Sequence, residues 1–175
     1  MKLGFTLMEL LVALAIVAIL SSAAAPSLQS ITRRIALQAA VGDLYGAIEL
    51  ARSNSINHAA RVVVAPDDSA GIDWTGGWSV FVDRDGDSRV SDGDRVLLRH
   101  PALPHGMRVS SAFTQPGRSY IAYNAAGRSC TAASSSAVRA GSLTVEHGGE
   151  IRRIKIALLG RARVCNPSRD RSCAD

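Results

Sequence analysis

From Phe5 to Ala25 the chain runs 21 residues almost without a polar side chain. As a helix rising ~1.5 Å per residue, such a run spans about 30 Å, the thickness of a bilayer's hydrocarbon core. A segment of this kind serves as an anchor or a packing stalk. The residues before it are only Met1-Lys2-Leu3-Gly4. A cleavable secretory signal would have a stronger basic region, a shorter apolar core and a small-residue cut site, which Ala23-Ala24-Ala25 imitates. That reading leaves Glu9 unexplained. A carboxylate one turn into an apolar run costs a few kcal/mol unless it reaches interfacial water or meets a partner. The alternative is that it meets a cationic amine in an assembled state.

Gly4-Phe5-Thr6-Leu7-Met8-Glu9-Leu10-Leu11-Val12 resembles the class III signal of type IV pilins and type II secretion pseudopilins. The shared pattern is a short basic leader, Gly, Phe, a Glu five residues after the cut, and an unbroken apolar helix. The resemblance implies cleavage between Gly4 and Phe5 by a prepilin peptidase and N-methylation of Phe5. It implies that Glu9 pairs with the α-amine of a neighbouring subunit's Phe5, so that other pilins or pseudopilins are partners in a filament. Pro26 is placed like the helix-kinking proline of these pilins, where it removes one helix hydrogen bond. Lys2 before the run and Arg33, Arg34 after it would by charge alone put the C-terminal side in the cytoplasm. The resemblance overrules this, because the peptidase of this family cuts on the cytoplasmic side. The expected location is the inner membrane, single-pass, with a periplasmic C-terminal domain that becomes extracellular in an assembled pilus.

After the anchor, Leu28, Ile31, Ile35, Leu44, Ile48 and Ala51 recur at helical spacings. Arg33, Arg34, Gln38, Asp43, Glu49 and Arg52 mostly lie elsewhere around the axis, so one face is expected to pack on a globular head. Gly42 and Gly46 weaken the middle, as for a helix that bends or packs closely. Leu50-Ala51-Arg52-Ser53-Asn54-Ser55-Ile56 resembles the helix end of the GspH/FimT-type minor pilins. Beyond Asn57 the pattern turns to strands at Arg61–Ala65, Gly77–Asp83, Arg95–Arg99, Met107–Ser110, Ser119–Asn124, Ser142–Glu146, Ile151–Leu158 and Ala162–Cys165. Trp78, Val80 and Val82 share a face, and His147-Gly148-Gly149 is a hairpin signal. Arg128–Gly141 reads as a loop, mobile at Ala132–Ala137. The expected fold is α+β: a long N-terminal transmembrane and amphipathic helix, then an antiparallel β-sheet head. It divides into a leader (1–4), a membrane helix (5–25), an amphipathic half (26–57) and a β-rich domain (58–175).

No enzyme, cofactor or small-molecule substrate emerges. His58, His100, His105 and His147 are scattered, Ser134–Ser136 has no nucleophile-elbow context, and no glycine-rich phosphate loop is present. Asp83, Asp85, Asp87 and Asp94 occupy positions one, three, five and twelve of a calcium-type loop. Ser88 stands where such a loop needs glycine, and Asp94 replaces the bidentate glutamate. A plain solvated Asp-Gly turn explains the same residues. Cys130, Cys165 and Cys173 leave one thiol over. The short span across Pro167 favours Cys165–Cys173, and Cys130–Cys165 is the alternative.

The formal charge is +5, and the C-terminal third concentrates it. On Ile151–Leu158, Ile154, Ile156 and Leu158 point one way and Arg153 and Lys155 the other. Gly160-Arg161-Ala162-Arg163 follows, then Arg169 and Arg171. In extended chain Arg161 and Arg163 share a side, so two guanidiniums can grip successive phosphates. Gly-Arg-x-Arg near the C-terminus resembles the motif of FimT-type minor pilins, which bind DNA for natural transformation, and Tyr123–Arg128 resembles that family's middle strand and turn. The resemblance implies DNA binding at the Gly160–Arg163 motif, at Gly160, Arg161 and Arg163. Arg153, Lys155, Arg169 and Arg171 are placed to help, and the scarcity of aromatic residues in this patch makes the expected binding independent of sequence. The alternative is a structural minor pseudopilin of the H class, whose arginines pair with acidic groups of the next subunit.

Overall fold

The structure, a computed structural model, describes residues 6–173, apart from the side chains of residues 20–27. Helix α1 spans Leu7–Asn57, 51 residues, and is continuous through position 26. Thr6 caps its start: the extended backbone there lets the Thr6 hydroxyl accept the Glu9 N–H at 3.3 Å. At the other end the His58 N–H still reaches the Asn54 carbonyl at 3.0 Å, and Ala59, with φ 48°, turns the chain out of the helix. Among the described residues no helix is long and apolar enough to cross a membrane. Phe5 and the side chains of residues 20–27, part of the expected 5–25 span, lie outside that description.

Among the described residues nine strands follow: β1 (Val62–Pro66), β2 (Trp78–Val82), β3 (Arg95–His100), β4 (Met107–Phe113), β5 (Ile121–Tyr123), β6 (Ser129–Cys130), β7 (Gly141–His147), β8 (Glu150–Ile156) and β9 (Ala162–Cys165). They form two antiparallel sheets, ordered β3-β2-β1-β5-β6 and β4-β7-β8-β9. The β7–β8 hairpin turns at Gly148 and Gly149, whose φ of 58° and 85° suits a two-residue turn, with His147 opposite Glu150. Between β2 and β3 the register slips at Val80 and Phe81, leaving Leu97 as a bulge that packs against the core.

The core lies between α1 and the two sheets. The helix contributes Leu37, Ala40, Val41, Leu44, Ala47, Ile48 and Ala51, at spacings of three and four. The first sheet adds Val62, Val64, Trp78, Val80, Ile121 and Tyr123; the second adds Leu143, Val145, Ile154 and Ile156. Trp78 is further covered by His100, stacked at 3.9 Å between centroids, and His100 Nε2 lies 3.4 Å from Asp43 on the helix. A second cluster, Val63, Ala65, Phe81, Ala122 and Cys130, fills the opposite face of the first sheet. Arg139 is buried nearby, sandwiched between the Phe113 and Tyr120 rings at 4.5 and 3.9 Å. Its guanidinium donates to the carbonyls of Arg118 at 2.8 Å and Tyr120 at 3.2 Å. Burial pulls its pKa down and Tyr120 partly opposes this, while the buried Nε is left without an acceptor among the described residues.

Several expectations need correction. Leu28, Ile31 and Ile35 do not pack on the head; they are 64, 53 and 60 % exposed. The head ends at the β7–β8 turn, where a Cβ on Gly148 would lie 2.8 Å from Arg33 Cδ, and the helix continues beyond it. Gly42 and Gly46 approach nothing, with no atom within 4 Å of where a Cβ would be. Strand β8 stops at Ile156, so Leu158 sits exposed in the following turn. The stretch expected to be one loop, Arg128–Gly141, contains β6 and a bridge between Cys130 and Val138. Its low-complexity part is tied down: Ala132 is buried, Thr131 donates to Ala137, and the Asn124 amide donates to Ser135 at 2.8 Å.

Candidate functional site

The register of β8 and β9 decides where the basic residues go. Lys155 pairs with Arg163 and Arg153 with Cys165, so these side chains share the outer face of the second sheet, while Ile154, Ile156 and Ala162 face the helix. Cys165 and Cys173 are disulfide-bonded with Cα atoms 5.8 Å apart. Cys130 is free and buried, which removes the Cys130–Cys165 alternative, and burial pushes its thiol up to about 11. The bridge folds residues 166–173 back over the outer face. There Arg163 donates to the Ser172 carbonyl and hydroxyl, each at 2.9 Å, and lies 3.5 Å from Asp170. Arg153 donates to the Cys173 carbonyl at 2.9 Å and Thr144 at 3.1 Å, and Lys155 reaches the Ser172 carbonyl at 3.5 Å. Hydrogen bonds from the Ser172 hydroxyl and N–H hold the Asp170 carboxyl below the usual range, with Arg163 and Lys155 adding to this. Three of the six expected cations are thus engaged with the disulfide loop. Arg161, Arg169 and Arg171 are exposed.

Gly160 has a structural reason. It sits in the β8–β9 turn at φ 85°, and a Cβ there would overlap the Gly127 carbonyl oxygen. Gly127, at φ 69° in the β5–β6 turn, is itself pressed by Ile56, whose Cδ1 would lie 2.7 Å from an added Cβ. Arg52 Nε donates to the Gly127 carbonyl at 3.1 Å. The end of α1 and two β turns therefore lock together through two glycines. Sequence reasoning singled out both turns but not their contact. Nor does the sequence pattern show that half-buried Arg52 reaches the Gly127 carbonyl or that Arg139 is buried, because arginines in either setting look alike in sequence.

The acidic loop after β2 brings together three of the four carboxylates of the calcium-type spacing. Oxygens of Asp83, Asp85 and Asp87 lie within 4.8 Å of one another, while Asp94 turns to the backbone, accepting from the Arg84 and Ser91 N–H groups at 3.0 Å. Asp83 is buried and accepts from the Gly86 and Ser88 N–H groups, with Arg61 Nε 3.7 Å away. Burial raises its pKa, and those partners only partly offset the rise. Ser88 adopts φ 60°, the conformation a glycine would take there. Every one of these carboxylates accepts a hydrogen bond within the turn, and Asp83 does so from a buried position rather than in solvent.

At the other end of the molecule Gly4 and Phe5 lie outside the described residues, and nothing is described of the Pro26 side chain. Glu9 is exposed in the first turn of α1. Thr6 and Glu9 stand at the cap and third positions of that turn, so Glu9 also suits the helix start.

Residues 40–160 match the family described as Type II transport protein GspH, and residues 1–25 match the prokaryotic N-terminal methylation motif. The chain belongs to the GspH family. No curated protein sequence matches it. Among solved structures it resembles the type IV minor pilin FimU of Pseudomonas aeruginosa, with a TM-score of 0.57 and 17% identity, over 79% of this chain and 95% of that one. It also resembles the minor pseudopilin EpsH from the type 2 secretion system of Vibrio cholerae, with a TM-score of 0.51 and 14% identity, over 77% and 97%. At such identities the likeness speaks for the fold, a long helix packed on antiparallel sheets.

Membership makes the chain a minor pilin or pseudopilin of a type IV pilus or a type II secretion system. GspH-family proteins are structural rather than enzymatic. They assemble with other pilins, are processed by a prepilin peptidase, and are anchored in the inner membrane before assembly.

Proposed function

We propose that this chain is a minor pilin of a type IV pilus whose head holds extracellular DNA for natural transformation. The observation that carries this is Arg161: exposed, with no side-chain partner among the described residues, on a turn fixed by Gly160. Arg169 and Arg171 add exposed charge on the disulfide loop. In this reading the peptidase removes residues 1–4, Phe5 is methylated, and residues 5–25 anchor the protein. Glu9 then sets the subunit's register, and the head faces the periplasm until the pilus carries it outside. Binding would follow phosphate charge rather than base sequence, with dissociation constants of roughly 10⁻⁴–10⁻⁶ M that rise steeply with salt. The test is a titration of the full chain, purified in detergent, with unrelated DNA duplexes at two salt concentrations. Arg161→Gln should weaken binding to all duplexes alike. Parent protein that shows no salt-dependent binding would sink the proposal.

The second reading is a structural minor pseudopilin of the H class. It draws on the engagement of Arg153, Lys155 and Arg163 with the disulfide loop, which reduces the open basic surface. Loss of secretion, with DNA uptake intact, on deleting the chain would favour it.

A further inference from the structure

We infer that Arg128, rather than Arg163, is the partner of Arg161 in gripping a phosphate; this rests on the DNA reading above. The two residues follow the two glycines that touch, Gly127 and Gly160. Each stands on a rigid turn. The Arg128 N–H donates to the Asn124 side chain at 3.1 Å and its carbonyl accepts from the Asn124 N–H at 3.1 Å. The Gly160 N–H closes the other turn on Ala157 at 2.8 Å. Both side chains are exposed, and neither has a hydrogen-bond or ion-pair partner among the described residues. Two uncommitted guanidiniums, carried by backbones in contact, present paired charge to one anion or to adjacent phosphates of a strand. Arg163 differs in kind. Its guanidinium already holds the Ser172 carbonyl and hydroxyl and lies beside Asp170, so a phosphate would have to displace an internal acceptor and carboxylate. Arg163 is a positioning residue that ties the disulfide loop to β9.

The experiment uses the full chain in detergent and a duplex of arbitrary sequence, titrated at two salt concentrations. Arg128→Gln and Arg161→Gln should each weaken binding by roughly three- to tenfold and lower the salt slope by about one. Arg128→Lys should restore most of the loss. Arg163→Gln should change affinity by less than about twofold while lowering the melting temperature, because it loosens the loop. A parent that binds DNA while Arg128→Gln binds equally well overturns the inference and leaves the DNA reading standing. A larger loss in Arg163→Gln than in Arg128→Gln overturns it too. A parent with no salt-dependent binding removes both.

Discussion

The two sheets of the head share antiparallel topology and the same helix, yet they close their outer faces by different physics. The central strands of the first sheet bury mainly apolar side chains on both sides. Val63, Ala65, Phe81, Ala122 and Cys130 form a second small core under the loops after β2 and β6, which meet where a Cβ on Gly86 would lie 3.0 Å from the Ala132 carbonyl oxygen. The second sheet presents Ser142, Thr144, Arg153, Lys155 and Arg163 outward, and a disulfide-closed segment lies over them through hydrogen bonds. A strand face that must stay basic cannot be covered by hydrophobic burial. A short covalent loop carrying carbonyls, a hydroxyl and one carboxylate covers it instead.

The difference predicts unequal sensitivity to truncation. Phe81 is fully buried in the second core, so Phe81→Ala should cost about 3–5 kcal/mol. Thr144→Ala, on the outer face of the second sheet, loses one hydrogen bond from Arg153 and should cost about 1 kcal/mol. Denaturant unfolding of the two variants checks this, and similar losses would erase the contrast.

The disulfide should matter next. Replacing both Cys165 and Cys173 with serine opens a loop closed across a separation of 8 residues and should cost about 2–3 kcal/mol in the chain-entropy model. The effect should stay local. Hydrogen exchange should rise in residues 166–173 and β9, not in β1 or β2. In a variant that replaces Cys173 alone, Cys130 should not pair with Cys165, since Cys130 is buried and its thiol stays protonated at neutral pH. Exchange that rises equally in both sheets would mean the loop supports the whole head.

How much of this was legible in the chain depends on the range of the interaction that decides each part. The hairpin at Gly148-Gly149 and the strand of Trp78 and Val80 follow from local pattern, and they form where pattern puts them. Phe81 lies on the face that alternation assigns to solvent, and only long-range coverage by two loops buries it. The helix pattern at Leu28, Ile31 and Ile35 is the same as at Leu44 and Ile48. What separates them is where the head stops, which depends on the length of the β7–β8 hairpin. For the basic surface, residue type and spacing found the cations. Which of them are engaged depends on acceptors nine residues on, at Ser172, and the turn that carries Arg161 is set by Gly127, more than thirty residues from Gly160.

The smallest expected effect is also the one that best separates the two faces, because acid should move them in opposite directions. Hydrogen bonds from Ser172 hold the Asp170 carboxyl below its ordinary value of 3.8. A group lowered in the folded state contributes stability above 3.8 and loses it as pH falls through its folded pKa. Residues 166–173 should therefore loosen on acidification, freeing Arg163. Burial raises the Asp83 carboxyl above 3.8, the opposite shift. Its contribution is present below 3.8 and is lost as pH rises through its folded pKa, so moderate acid should not loosen the loop after β2 by this route. Amide exchange, corrected for intrinsic rates and followed from about pH 6 to about pH 3, reads both. Protection at Ser172 and Cys173 should fall while that at Gly86 and Ser88 does not fall with it. In Asp170→Asn the acid response of the disulfide loop should vanish, with the Asp83 loop unchanged. If the response at Ser172 survives that substitution, the carboxylate is not what holds the loop to Arg163, and the cover over the second sheet rests on the disulfide and the Ser172 acceptors alone.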